Sequence, residues 1–185
     1  MNFTNPENMV LTTIRLVESD ENSNIRLNAN GGNSILLVCE PIQELDYIQA
    51  IKKLMPEEKY EIIDLNDLLC EFLNENKADL EESFKLLKGS MHQIFRTPNG
   101  EEGNDLFSII LYAIEKSLKA NKIPVLINTG ILYGSGIGAI HIMENGLVMR
   151  ALLPLIILYP ATWEQERLMF LGKRPASKYR CMIVN

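Results

Sequence analysis

Four short apolar runs constrain this chain more than anything else in it: "ILLVCEP" (35–41), "YEIIDL" (60–65), "IPVLINTG" (123–130) and "LPLIILYP" (153–160). A strand with one wet face alternates apolar and polar residues, whereas a strand covered on both faces is apolar throughout. Between these runs the apolar spacing changes to that of helices. Ile42, Leu45, Ile48, Ile51, Leu54 and Met55 fall on one predicted helical face, and "NDLLCEFLNEN" reads as a second short helix. Leu80, Phe84, Leu87, Met91 and Ile94 form a third stripe. Asn104 is placed to cap a fourth helix, with Leu106, Ile109, Ile110, Ala113, Ile114 and Leu118 facing inward. Strands alternating with helices in this way predict an α/β chain, a single three-layer domain with a mainly parallel sheet and helices on both faces. The last runs, "RLMFLG" and "YRCMIV", have no helix between them and predict a C-terminal antiparallel edge hairpin.

A chain of 185 residues suits one domain, here 1–185, and no repeat or second unit is visible. Asn5-Pro6-Glu7 starts a helix to about Glu18, because asparagine caps and proline fits the first helical position. Residues 19–34 are polar and glycine-marked, so 1–34 reads as an N-terminal helix followed by a mobile loop. The first ten residues carry neither the basic nor the apolar region of a secretory signal, and no run approaches the ~20 apolar residues of a membrane span. Cys39, Cys70 and Cys181 are odd in number and far apart, as expected of small buried thiols in a reducing cytoplasm. With 24 acidic against 18 basic residues the net charge is −6, which argues against a chain that grips nucleic acid by itself. Its one basic enrichment is terminal: Arg167, Lys173, Arg174, Lys178 and Arg180.

Gly134-Ser135-Gly136-Ile137-Gly138-Ala139 fits the loose dinucleotide pattern G-x-G-x-x-A and follows a strand. Such a loop cradles a phosphate, or else it lets the backbone turn tightly and pack the next helix, here expected to reach about Leu152. The second use is the expected one. The pattern normally belongs to the first strand–helix turn, and Tyr159-Pro160 stands where an acid should follow. His141 and Glu144 would share a helical face but lack a third metal ligand, and His92 reads as a semi-buried packing residue. Asp64 and Asp67 close the second strand, where acids hold magnesium in nucleotide enzymes. Capping of the next helix by Asn66 or Asp67 is the commoner use. No cofactor or metal is therefore expected. Thr162-x-x-Gln165 has the form of a capping box, and Tyr133, Tyr159, Trp163 and Arg167 gather aromatic and guanidinium groups at strand ends. That corner is either a docking surface for a partner or a closure of the core.

The ordered set "LINTGILYGSGIGAIHIMENGL", "PLIILYPATWEQERLMFLG" and "KYRCMIVN" resembles the BrxB family of bacterial BREX (bacteriophage exclusion) systems. The likeness is read at Gly130 to Leu147, Leu158-Tyr159-Pro160, Arg167-Leu168-Met169-Phe170 and Tyr179-Arg180-Cys181. Upstream, "CEPIQELDYIQAIKKL" and "EIIDLNDLLCEFL" are similar to the family's strand end and its "IDLYDLLLE" segment, so the likeness covers roughly residues 35–185. Ala161 stands where the family has glycine, and Glu40-Pro41 replaces Asp-Pro. The resemblance implies a non-catalytic, cytoplasmic accessory protein of antiviral defence that binds the PglZ-like protein of the same operon. The alternative is a degenerate nucleotide- or phosphate-binding α/β enzyme using Gly134–Ala139.

Overall fold

The computed structural model describes residues 5–18, 22–87, 90, 92–97, 105–176 and 179–185. The apolar runs become β1 (Ser34–Cys39), β2 (Tyr60–Asp64), β3 (Ile123–Ile127) and β4 (Leu155–Glu164). Shorter strands follow as β5 (Arg167–Phe170), β6 (Arg174–Pro175) and β7 (Met182–Val184). The sheet has the order β2-β3-β4-β1-β7, and each neighbouring pair on that path is parallel. This is the mainly parallel α/β sheet that the unalternating runs predict.

Because strand side chains alternate in direction, each run feeds two cores. Ile35, Leu37, Val125, Ile127, Ile156 and Leu158 face one way, and α1 (Pro6–Glu18) and α3 (Glu44–Leu54) cover them with Val10, Val17, Tyr47, Ile48 and Ile51. Leu36, Val38, Leu126, Leu155 and Ile157 face the other way. They lie beneath Leu65 and Phe72 of α4 (Leu65–Glu75) and Leu106, Ile110 and Ile114 of α7 (Leu106–Lys119).

Several expectations need correction. Within the segment predicted as a loop, Asn22–Asn28 is helical (α2), and its Ile25 is buried, as is Ala29 just beyond it. Residues 19–21 lie outside the described part. The third stripe is not one helix: α5 (Lys77–Leu86) is followed by a separate turn, α6 (His92–Phe95), while Met91 lies outside the described residues. Ile42 and Leu45 are exposed, because the helix starts only at Glu44 and its inner face is Tyr47, Ile48 and Ile51. The glycine loop does not lead into one long helix. It leads into α8 (Ala139–Met143) and α9 (Gly146–Arg150), and Asn145 caps the second by accepting from the Leu147 N–H at 2.9 Å.

An antiparallel hairpin is present, but with other partners. β4 runs on past Pro160 and folds back onto β5, Trp163 opposite Leu168, whereas β7 lies parallel to β1, with Leu36 opposite Ile183. Gln165 and Glu166, both at positive φ, make the turn, so Thr162 and Gln165 belong to a hairpin rather than a capping box. Cys39 and Cys181 are buried and Cys70 is exposed.

The cap of α7 is Asp105, not the neighbouring Asn104, which lies outside the described residues. Asp105 accepts from the Ser108 N–H at 2.8 Å and also from the N–H and hydroxyl of Thr97. Burial pushes its carboxyl up, but these hydrogen bonds outweigh burial and hold it below the ordinary aspartate value. Asp105→Ala is expected to cost ~2–3 kcal/mol in urea unfolding, about 1 for the cap and the rest for Thr97 left unpaired. Asp105→Asn retains the cap and is expected to recover about half of that loss. The wild-type advantage over Asp105→Ala is full above the unfolded aspartate value. It fades as acid titrates the carboxyl through its lower folded value.

Candidate functional site

The carboxyl ends of β2, β3 and β4 meet at one edge, where open α/β sheets hold their ligands. Asp64 ends β2 and caps α4, accepting from the Asn66 N–H at 2.9 Å; it is the cap in place of the expected Asn66 or Asp67. Asn128, just past β3, sits at φ 56 and donates its side-chain N–H groups to both Asp64 oxygens at 2.8 Å. Thr129 donates its hydroxyl to the Leu158 carbonyl at 2.7 Å. These bonds tie the start of the glycine loop to the strands on either side of β3.

Gly134 and Gly136 take φ 84 and 77, values that an L side chain rarely adopts. Gly136 has a second reason to be glycine, since a Cβ there would lie 2.8 Å from the His92 Cβ. His92 itself is exposed, not semi-buried. Two backbone donors of the loop are engaged within it. The Ile137 N–H donates to the Ser135 hydroxyl at 3.1 Å, and the Gly138 N–H donates to His141 Nδ1 at 2.9 Å. The glycines therefore shape a turn and admit a close neighbour.

His141 is tied to this loop through Nδ1. Arg96 Nη1 approaches the same Nδ1 at 2.8 Å while its guanidinium lies 5.1 Å from the centre of the Phe107 ring. Arginine and a backbone N–H can only donate, so Nδ1 is the acceptor and the ring hydrogen is on Nε2. Burial lowers the imidazole's affinity for a proton, and the positive charges of Arg96 and Arg174 lower it further. Glu144 instead lies 3.9 Å from Arg180. No group of three His, Cys, Asp or Glu side chains is placed to hold a metal among the described residues.

The four expected site residues divide. Tyr133 and Trp163 are about half exposed, at 52% and 46%, and Arg167 is exposed on the hairpin. Tyr159 is 2% exposed, so it is a foundation and not a surface anchor. Its ring stacks on Phe170 at 4.7 Å, and its hydroxyl lies 3.0 Å from that of Tyr179, whose ring meets it edge-on. Burial is the main reason its phenol is held well above the usual tyrosine value. Tyr133 and Tyr159 line one cavity together with His141, Phe170, Arg174 and Tyr179. Trp163 and Arg167 stand apart, at the hairpin's turn.

The chain matches no protein-family model, no curated protein and no solved structure.

Sequence reasoning missed Arg96, Arg174 and Tyr179 as members of this site. They come from segments far apart in the chain, and only the terminal basic enrichment and the Tyr-Arg pair hinted at two of them. No helix of the described residues is long and apolar enough to cross a membrane.

Proposed function

We propose that this chain is a non-catalytic accessory protein that docks a protein partner at the hairpin end of its sheet. In that reading the partner is the PglZ-like protein of a bacteriophage-exclusion operon, and the complex works in the cytoplasm. The observation that carries it is the meeting of three separated segments of the BrxB resemblance. Tyr159, Phe170 and Tyr179, one from each, pack ring against ring. A rigid aromatic base of this kind holds the hairpin in a fixed direction. At its end stand a half-exposed tryptophan and an exposed arginine, the residue types that dominate interface energetics. A preorganised arm loses little conformational freedom on binding, so more of its contact energy appears as affinity.

The test is capture of the purified PglZ-like protein by wild-type chain, Trp163→Ala and Arg167→Ala. Trp163 is expected to be an anchor, with a loss of about 2 kcal/mol or more, roughly thirtyfold in Kd. Arg167→Ala is expected to weaken capture as well, by a smaller factor. Each variant's melting temperature is measured first, and a half-exposed tryptophan should be removable with little change. Variants that melt like wild type and bind with unchanged affinity would place the interface elsewhere. A genomic neighbourhood without ATPase, methyltransferase and PglZ-like genes would remove the proposed partner.

A further inference from the structure

The cavity beside Tyr159 of β4, close to where the parallel ladder stops at Pro160, has a volume of about 170 Å³. Its walls come from distant segments: Tyr133 and Ile137 from the glycine loop, Phe170 from β5, Arg174 from β6 and Tyr179 from the stretch before β7. The buried Tyr159 and the half-buried His141 complete it. A site assembled from so many parts is held in shape by all of them.

Its charge is opposite to that of the chain. The sequence carries a net −6, yet no aspartate or glutamate lines this cavity among the described residues. Arg174 lines it and makes no ion pair among them. His141 lines it with Nδ1 already occupied, so the nitrogen it has to offer is the donor Nε2–H. Arg96, held behind His141, adds a second guanidinium whose charge has no carboxylate partner among the described residues. Such a site favours a negative group, and a guanidinium suits a carboxylate by presenting two parallel N–H donors. The remaining walls are aromatic and aliphatic. A dry cavity of ~150 Å³ is known to take a benzene ring, so the space here fits one compact body and not a nucleotide.

We propose that this cavity binds a small carboxylic acid, the carboxylate held by Arg174 and His141 and an apolar body of ring size lying among Tyr133, Ile137 and Phe170. The acid acts as a ligand and undergoes no reaction there. The site needs no partner protein, so it stands or falls independently of the docking surface at Trp163.

The probes are benzoate, its neutral amide benzamide and its cationic counterpart benzylamine, titrated into the purified full chain at neutral pH and followed by amide NMR. Benzoate is expected to saturate with a Kd below about 1 mM. Its shifts should concentrate at residues 133–141 and 170–174. Benzamide and benzylamine should bind at least about tenfold more weakly, because one charge-assisted contact is worth that factor or more. Arg174→Gln is an exposed substitution that leaves the packed walls in place, and it should weaken benzoate by a similar factor while hardly affecting benzamide. Arg174→Lys should recover part of the loss. Any of three results would overturn the proposal: no saturable benzoate binding, equal binding of benzoate and benzamide, or wild-type affinity in an Arg174→Gln chain whose spectrum is otherwise unchanged. Shifts confined to other parts of the chain would do the same.

Discussion

Gly32→Ala is expected to be among the most damaging single-methyl additions this chain can receive, costing about 3 kcal/mol or more. A Cβ at residue 32 would overlap the carbonyl oxygen of Arg180 and lie 2.6 Å from its carbonyl carbon. The obstacle is backbone, so no side-chain rotation relieves it. Gly32 lies two residues before β1 and Arg180 two residues before β7, and these strands pair in parallel from Ile35 opposite Met182 to Leu37 opposite Val184. Pushing residue 180 outward pulls at that pairing, which closes one edge of the sheet. The adjacent Gly31 is the control. It has φ 87 but open space where a Cβ would go. Gly31→Ala meets only the left-handed backbone penalty, about 1–2 kcal/mol. Urea unfolding of both variants is the check, with amide exchange at 182–184 reporting whether β7 has come loose. If Gly31→Ala proves the costlier of the two, the close approach of Gly32 to Arg180 does not govern that edge.

The strands of the sheet were legible because a strand buried on both faces has nothing polar to interrupt it. Leu36 and Ile157 serve one core while Leu37 and Ile156 serve the other, so a continuous apolar run is the only sequence that satisfies both. Pro160 misled for an equally physical reason. A proline reads as the end of a central strand because it cannot donate to the ladder. Here it stands opposite Cys39, the last residue of β1, where the parallel ladder stops and the antiparallel one begins. α2 was illegible because its buried apolar face is small. Ile25 is buried, but Leu27 is 75% exposed, and the helix owes much of its place to Arg26.

The site was legible only in part. Its position followed from strand ends and a glycine turn, both local features. Its chemistry did not, because Arg96, His141 and Arg174 are brought together by the fold, and neither spacing nor charge counting places them side by side. The role of His141 turns on a single geometric fact. Once two obligate donors point at Nδ1, the ring is a neutral donor on its other side, and a metal role with Glu144 loses its footing. The same fact makes the cavity electropositive without a protonated histidine.

Asn33→Asp is expected to be worse than Asn33→Ala, although aspartate nearly matches asparagine in shape. Asn33 is 2% exposed, and its Nδ2 lies 3.2, 3.0 and 2.9 Å from the carbonyl oxygens of Val148, Ala151 and Leu153. All three are acceptors, so the side-chain orientation is determined and the site demands a donor. The first two are carbonyls at the end of α9, where a helix runs short of internal donors: Val148 also accepts from the Ala151 N–H at 3.2 Å, and Arg26 takes the Met149 and Ala151 carbonyls at 2.9 and 2.6 Å. Removing the amide with Asn33→Ala takes the donor from the Leu153 oxygen and one of two from the Val148 and Ala151 oxygens, for about 1–3 kcal/mol. An aspartate at neutral pH adds a buried negative charge facing those same oxygens, and the loss should reach ~4 kcal/mol or more, a large share of a typical domain's roughly 5–15 kcal/mol. The sign of the pH dependence separates the two variants. Burial among carbonyls raises the new carboxyl's folded value above its unfolded one. The Asn33→Asp chain should therefore regain stability as pH falls through that interval, when the protonated acid supplies one O–H donor. The Asn33→Ala chain has no such group and should show no recovery relative to wild type. Urea midpoints of the three chains between about pH 5 and 8 decide it. An Asn33→Asp chain that is no less stable than Asn33→Ala and shows no recovery in acid would mean that the site does not demand a donor.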